Sequence, residues 1–435
     1  MTTTLTLTLT LTIAFFLAVI LMLVSLLLFV KAKLSPAGKL TLTINGEQTM
    51  EVDGGSTLLT TLGNSGVFLP SACGGGGTCV QCRCQVHSGG GSILPTETPH
   101  FSRKEIADNW RLGCQVKVKE DMDIQVPEEV FGIKKWECEV VSNYNVASFI
   151  KEFVVRLPEG EHLDFEAGGY IQVDVPTTVV DYKGMDVTAH PEHHPEPDTF
   201  QSEWDKFGLW DLTMVNEEPI VRAYSMANHP AEGNIVMLNI RIATPPWDRA
   251  RKGWMQVNPG ICSSFVFAQK PGDKVTISGP YGEFFIKDSG SEMVYIGGGA
   301  GMAPMRSHLF HLFHTLKTGR KVTFFYGGRS KRELFYVDDF RAIEKEFPNF
   351  DFHLVLSEPA EGDNWKEKKS IEDDGDGFLG FVHNAVIEHH LEGHDAPEDI
   401  EFYFCGPPLM NQAVLKMCDD WGVPEENVSF DDFGG

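Results

Sequence analysis

The chain has 435 residues, 42% apolar and 22% charged, enough for several domains of roughly 100–200 residues each, and one small fold is excluded. Asp and Glu outnumber Lys and Arg by 61 to 36, and a net charge of -25 without a long basic run excludes a nucleic-acid partner, because phosphate backbones are held by basic patches. The cysteines number 9, an odd count, and Cys73, Cys79, Cys82 and Cys84 crowd together, which points to metal ligation in a reducing compartment and away from a disulfide framework.

Taken in chain order, the first element is an apolar run. Leu11 to Val30 spans 20 residues, and no Asp, Glu, Lys or Arg occurs before Lys31. As a helix it is long enough for a ~30 Å hydrocarbon core. A cleaved signal peptide needs a basic region ahead of the apolar stretch, and none is there, so the run reads as a retained single transmembrane anchor in the lipid bilayer. Lys31, Lys33 and Lys39 follow at once, which places everything after the anchor in the cytoplasm.

Three soluble regions follow. LTLTI and EQTMEV flank Asn45-Gly46, the dipeptide of a type I′ hairpin. Ser56 is expected to cap a short helix ending near Gly63, Ser102 and Glu105 form a capping box for a second, and Leu112 to Val118 reads as a closing strand. From Glu137 to about Ile286 strands with Gly and Pro turns predict an antiparallel barrel. From Met293 onward, apolar strands (MVYI, VTFFYG, FHLVLS, EFYFCG) alternate with helical stretches, the pattern of a doubly wound parallel sheet.

The strongest chemical signal is Cys73-x5-Cys79-x2-Cys82, completed by Cys114 after 31 intervening residues. Four thiolates with three on one loop suit a 2Fe-2S cluster, and Gly74 to Gly77 let the backbone curl around inorganic sulfides and aim amides at them. A four-cysteine zinc site would show two separated CxxC pairs, and only Cys79/Cys82 has that spacing. Cys84, Cys138 and Cys418 read as buried small apolar residues.

In the barrel region, Arg222-Ala-Tyr224-Ser225 offers an Arg fork for a pyrophosphate, a ring to lie along a flavin, and a hydroxyl within reach of the flavin N5. Gly260, Cys262, Ser263 and Ser264 form a turn where backbone N–H groups and hydroxyls at a helix start suit phosphate. In the last region, strand MVYI runs into Gly297, Gly298, Gly299, Ala300 and Gly301, then Pro304 in the first turn of an apolar helix, the strand, glycine loop and helix order that dinucleotide phosphates need. The spacing is not G-x-G-x-x-G, so it is no plain Rossmann fingerprint. Strand EFYF ends in Cys405, Gly406 and Pro407, where ligands of open parallel sheets bind, and Cys405 is placed to face the nicotinamide carbon that gives up hydride.

These motifs, in this order, resemble a plant-type ferredoxin fused to a ferredoxin-NADP reductase-like module. The anchor, the x5 cysteine gap and the insertion Pro176 to Ile220 resemble, more narrowly, the NADH-oxidising F subunits of sodium-translocating NADH:quinone reductases. The resemblance covers essentially the whole chain. It implies a multidomain α+β and α/β protein with an anchor over 1–33, a β-grasp ferredoxin-like domain over 34–130, an FAD barrel over 131–288 and an NADH-binding domain over 289–435. It implies further that NADH passes hydride to FAD beside Ser225, that electrons move singly to the 2Fe-2S centre and on to membrane subunits of the same respiratory complex, and that those subunits reduce quinone and export sodium at the bacterial inner membrane. A terminal aromatic over the flavin completes the family pattern, and Phe433 is the matching residue. The alternative is a reductase feeding electrons from NADH to an oxygenase; that family usually lacks the anchor and the insertion.

Other features carry less. His190, His193 and His194 sit in a Pro-rich insertion without cysteine or helical spacing to support a metal site. His308, His311 and His314 share a helix face and read as packing, and the acidic run Glu372 to Asp376 as a solvated loop, since His383 stands where an EF-hand needs Glu. After VTFFYG come Arg329, Ser330 and Arg332, basic enough to leave NADH against NADPH open.

Overall fold

The computed structural model describes residues 13, 15–26, 39–193 and 200–432. Residues 15–26 are helical with exposed apolar side chains. Residues 11, 12, 14 and 27–30 of the expected anchor lie outside the described residues, and among those described no helix is long and apolar enough to cross a membrane. The chain forms two compact units, Met1–Ser71 with Gly75–Gly132, and Ala72–Gly74 with Ile133–Gly435.

The first unit is a five-stranded mixed sheet. Strands β1 (Lys39–Ile44) and β2 (Gln48–Asp53) form a hairpin in which Asn45 and Gly46 both take positive φ, as a type I′ turn requires. Period-two alternation sends Leu42 and Ile44 into the core and leaves Thr41 and Thr43 on the other face. Helix α1 (Leu58–Asn64) follows, then β3 (Arg83–Ser88), α2 (Arg103–Ala107), β4 (Trp110–Leu112) and β5 (Met122–Gln125), in sheet order β2-β1-β5-β3-β4. The capping box at Ser102 and Glu105 forms as expected. Helix α1 is capped one residue later than expected, by the Thr57 hydroxyl accepting from the Thr60 N–H. The expected strand over Leu112–Val118 stops at Leu112, because the Gln115 and Val116 amides turn back onto the Leu112 carbonyl; β5, running parallel to β1, takes the central position instead.

In the second unit, strands β6 (Lys134–Ala147), β7 (Ile150–Arg156), β8 (Tyr170–Val175), β9 (Thr178–Asp181), β10 (Thr213–Asn216), β11 (Ile220–Ser225), β12 (Ile235–Arg241), β13 (Trp247–Asp248), β14 (Gly253–Trp254) and β15 (Lys274–Tyr281) precede the parallel sheet. Six of them form one antiparallel sheet in the order β11-β8-β15-β6-β7-β12, and the chain just past β11 reaches back to β12 through the Met226–Leu238 bridge. Helix α3 (Gln201–Phe207) lies in the insertion and α4 (Ile261–Ala268) follows the Gly260 turn. The insertion is part of this core: Tyr182, Phe200, Trp204 and Met214 are fully buried among the strand residues. Each such side chain removed from water contributes about 1.5–3 kcal/mol.

The last region holds six parallel strands, β16 (Met293–Gly298), β17 (Val322–Gly328), β18 (Phe350–Leu356), β19 (Phe378–Leu379), β20 (Glu401–Cys405) and β21 (Val428–Asp431), in the order β19-β18-β17-β16-β20-β21. Helices α5 (Met302–Phe310) and α6 (Val337–Glu346) contribute to the apolar cluster of one face, α7 (Val382–Val386) and α8 (Pro408–Asp420) to that of the other. Both faces are covered, so the strands read as continuous apolar runs. The chain order reverses between β16 and β20, and ligands of such sheets bind outside the strand ends at that point.

Candidate functional site

The cysteine loop is built on left-handed backbone. Gly74, Gly75 and Gly77 all have positive φ, and so does Val80, a β-branched residue for which that conformation costs of order 1–3 kcal/mol. Such strain persists where the surroundings over-determine it, here between Cys79 and Cys82. The Cys82 and Cys114 thiols are within hydrogen-bonding contact and Cys79 acts on Cys82 electrostatically; with burial these raise the Cys82 thiol. A thiol cluster that resists ionising unaided is what a cationic iron pair would stabilise, so these donors fit the group. The Gln115 amide points at Cys114 Sγ, 3.6 Å away. Cys73 is half-buried on the same loop, while Cys84 is fully buried, its thiol pushed by burial up to about 12. Cys138 and Cys418 are likewise buried.

A pair that the sequence pattern missed braces the strand leading to Cys114. Glu97 is fully buried and accepts from Arg111 Nε and Nη2 and from the Leu112 and Leu94 amides at 2.8–3.2 Å. Burial opposes its charge, but these bonds outweigh it and hold the carboxyl below its usual range. No spacing rule joins positions 97 and 111.

On the flavin-type strand, Arg222 stands opposite Val173 and Tyr224 opposite Ile171. The Tyr224 hydroxyl and Cys262 thiol are hydrogen-bonded, and burial raises both groups, Cys262 to about 12. Buried Gln172 Nε2, beside Ala223, finds no partner among the described residues, a donor that a polar ring edge would satisfy. A cavity of about 760 Å³ lined by Ile220, Asn258, Pro259 and Ile261 continues from that strand to the Gly260 turn. The cavity's size suits a large dinucleotide cofactor with its diphosphate at the Gly260 end, since Asp211, Glu217 and Glu218 line it elsewhere. The Ser263 and Ser264 hydroxyls differ from expectation: both donate back to the Gly260 carbonyl, at 3.2 and 2.6 Å, and are buried, so the turn offers phosphate its backbone N–H groups.

At the switch point the glycine loop is tight. A Cβ at Gly301 would lie 2.1 Å from the Cys405 carbonyl oxygen, and one at Gly298 2.9 Å from Met410 Sδ, so only glycine lets the loop reach the end of β20. Gly299 has φ +56°, and Pro304 sits in the first turn of α5, where its missing N–H costs nothing. Gly297 pairs with Cys405, and Cys405 with Asp431 on β21. The Ser225 hydroxyl donates to Asp431 Oδ2 at 2.5 Å, and Asn411 Nδ2 donates to the Asp431 carbonyl at 3.2 Å. Burial raises the Asp431 carboxyl, the Ser225 bond opposing, and burial raises the Cys405 thiol well above its usual value. Asp431 and Asn411 were not singled out in the sequence; the acidic pair before Phe433 was the available signal. Phe433 lies outside the described residues.

Five histidines, in three places, bear on packing and metal binding. His308 is fully buried, lowered by burial to about 4, with Nε2 against the Phe284 carbonyl. His190 and His193 meet Glu152, and His390 and His394 meet Glu292. In both of these groups one ring Nδ1 accepts backbone N–H, from Glu192 and His193 onto His190 and from Ala396 onto His394. A metal-bound histidine needs a proton on that nitrogen to donate, so neither arrangement favours a metal.

Family models match in three stretches: a 2Fe-2S iron-sulfur cluster binding domain over residues 42–119, an oxidoreductase FAD-binding domain over 207–286 and an oxidoreductase NAD-binding domain over 295–416. Over 417 residues the chain is 54% identical to the F subunit of the Na(+)-translocating NADH-quinone reductase of Neisseria meningitidis (strain FAM18), covering 96% of this chain and 97% of that one. The corresponding F subunit of Pseudomonas aeruginosa (strain UCBPP-PA14) is 52% identical, with 96% of each covered. Among solved structures, the Amycolatopsis cytochrome P450 reductase GcoB aligns with a TM-score of 0.58 at 24% identity over 91% of this chain and 98% of that one. The ferredoxin reductase of carbazole 1,9a-dioxygenase gives 0.57 at 23%, over 91% and 99%. Both show a shared fold.

Proposed function

Because the chain belongs to the family of Na(+)-translocating NADH-quinone reductase F subunits, we propose a division of labour among its residues within that enzyme. The protein is the NADH-oxidising, electron-input subunit of the complex and carries FAD and a 2Fe-2S cluster. The observation that carries the residue assignment is the meeting of Ser225 with Asp431 beside Cys405, which joins the flavin-type strand to the ends of the nucleotide-type strands.

Bound flavin supplies hydride acceptance and single-electron release, and a bound cluster single-electron carriage. The chain's own residues bind, orient and exclude water. Arg222 and the amides after Gly260 hold the flavin diphosphate, Tyr224 lies along the ring, and Gly297 to Gly301 with Gly406 and Pro407 admit the NADH diphosphate against the start of α5. Ser225, held by Asp431, would present its oxygen to the bound flavin, and the buried Cys405 would stand at the strand end that the nicotinamide approaches. Cys73, Cys79, Cys82 and Cys114 ligate iron. The six-stranded antiparallel sheet with its Met226–Leu238 bridge serves as the FAD barrel. Leu11 to Val30 anchors the chain in the bacterial inner membrane with the remainder in the cytoplasm, beside the membrane subunits that reduce quinone; the apolar, uncharged run supports this.

Cofactor analysis and NADH titration of residues 34–435, followed by absorbance and EPR, test the reading. Expected are one FAD and one 2Fe-2S centre per chain, both reduced by NADH, in a protein that no longer pellets with membranes. A truncated protein that lacks flavin, or stays with membranes stripped of partner subunits, contradicts it.

A further inference from the structure

Glu152 is a carboxylate with no role in the chemistry described so far, and three parts of the second unit converge on it. It stands on β7 opposite Asn239 of β12, and it is almost fully buried. From the nucleotide-binding sheet region, the Tyr336 hydroxyl donates to Glu152 Oε2 at 2.6 Å and accepts from Asn239 Nδ2 at 2.8 Å. From the insertion comes His190, whose Nε2 lies 3.1 Å from Glu152 Oε1. Since His190 Nδ1 accepts the Glu192 and His193 amides, its proton sits on Nε2 and is aimed at the carboxylate. His193 stacks on His190 at 4.5 Å between ring centroids and meets the Tyr336 ring edge-on at 4.6 Å, with Nδ1 3.8 Å from Asp339.

The arrangement is held against strain. Tyr336 has φ +60°, unfavourable for a ring-bearing residue, at the residue preceding α6. Its hydroxyl bonds and the Arg306 guanidinium over its ring hold it there. Arg306, on the helix that begins at the glycine loop, forms a second clasp: a two-pronged pair with Glu232 at 2.7 and 2.8 Å and a bond to the Ala227 carbonyl. Ser307 beside it donates to the Asn228 carbonyl. Two residues before Glu152, Ile150 belongs to the same apolar cluster as Tyr336 and Met302, and its Cδ1 lies 3.8 Å from the Cβ direction of Gly299. The strand that carries Glu152 thus abuts the loop that receives NADH.

We infer that Glu152, together with Tyr336 and His190, is a positioning group for hydride transfer: it sets the glycine loop and α5 against the flavin-bearing sheet, and the insertion exists in part to complete its hydrogen bonds. On the assignment proposed above, the adenosine and diphosphate of NADH bind within the parallel-sheet region, so loosening the clasp shifts the encounter of nicotinamide and flavin while leaving affinity nearly unchanged. A displacement of an ångström in such an encounter costs up to about 100-fold in rate.

The test uses the full-length protein with its FAD and cluster content measured, and wild type as the control; failure of wild type to reduce flavin with NADH would count against the function itself and not against this inference. Tyr336→Phe removes one oxygen. It is expected to keep both cofactors and ordinary reduction by dithionite, to lower the saturating rate of flavin reduction by NADH about tenfold with little change in KM, and to weaken the NADH–flavin charge-transfer band. Glu152→Gln is expected to do the same, and His190→Gln to a lesser degree. If Glu152→Gln does not fold, Tyr336→Phe decides alone. An unchanged saturating rate and charge-transfer band with a lowered thermal midpoint would make the network merely structural and overturn the inference. So would one equivalent of zinc in the wild type that is lost in His190→Gln, because the group would then be a metal site.

Discussion

The two redox sites of this protein are assembled in opposite ways. Three of the cysteines assigned to iron stand within ten residues on one glycine-bearing loop, and the fourth arrives at the end of a strand braced by Glu97 and Arg111. The site proposed for hydride transfer is drawn from distant parts of the second unit: Ser225 and Asp431 are 206 positions apart in sequence and 2.5 Å apart in space. A loop site depends on covalent spacing and on glycines free to take positive φ. A site between strand ends depends on topology, and its geometry is only as good as the packing that holds the strands.

Four tests break or sharpen that contrast. The largest effect is expected at Cys79→Ala, which removes a ligand that no methyl group replaces: the EPR signal of the reduced cluster disappears while NADH still reduces the flavin. Cys84→Ala, five residues on, retains the signal. Loss of the signal in Cys84→Ala would mean the ligand set is wrong.

The second tests the brace. Glu97→Gln leaves Arg111 buried without its counter-charge, and the first unit should lose about 3–5 kcal/mol of stability, read from denaturant unfolding followed at the cluster absorbance. Glu97 titrates below its usual range in the folded state, so its stabilising contribution is complete above the ordinary carboxylate range and is lost as pH falls through the depressed folded value. Wild type should therefore weaken in acid more steeply than Glu97→Gln. Parallel acid profiles would remove the pair from the account.

The third addresses the distributed site. Asp431→Asn keeps the shape but weakens the hold on the Ser225 oxygen; flavin reduction by NADH at saturation should fall by about tenfold to 100-fold with FAD content unchanged. Cluster EPR after chemical reduction should be unaffected, since the substitution changes none of the four cysteines. A rate equal to wild type would leave Asp431 as a strand-end contact.

The smallest effect is expected at the terminal aromatics. Phe430 is half-exposed on β21 and stacks on Phe404 at 5.3 Å, so Phe430→Ala should cost about 0.5–1.5 kcal/mol of stability and leave the flavin spectrum alone. Phe433→Ala is expected to perturb the flavin bands and the affinity for NADH. Identical behaviour of the two variants would take Phe433 off the list of site residues.

The sequence by itself determined what is local or periodic. The Asn45-Gly46 hairpin, the Ser102/Glu105 capping box, the cysteine loop and the strand, glycine loop and helix at Met293–Phe310 were all legible because their geometry is set by neighbours in the chain. The order of the motifs was enough to point to the family. The tertiary structure alone decided which distant groups meet: Asp431 with Ser225, Glu97 with Arg111, and Glu152 with Tyr336 and His190. It also showed that Leu112 ends its strand so that Cys114 can turn toward Cys82, and that the Ser263 and Ser264 hydroxyls are used within their own turn. The reason is physical. A buried carboxylate needs donors, but any donor delivered by the fold will satisfy it, so no spacing in the chain records which one arrives.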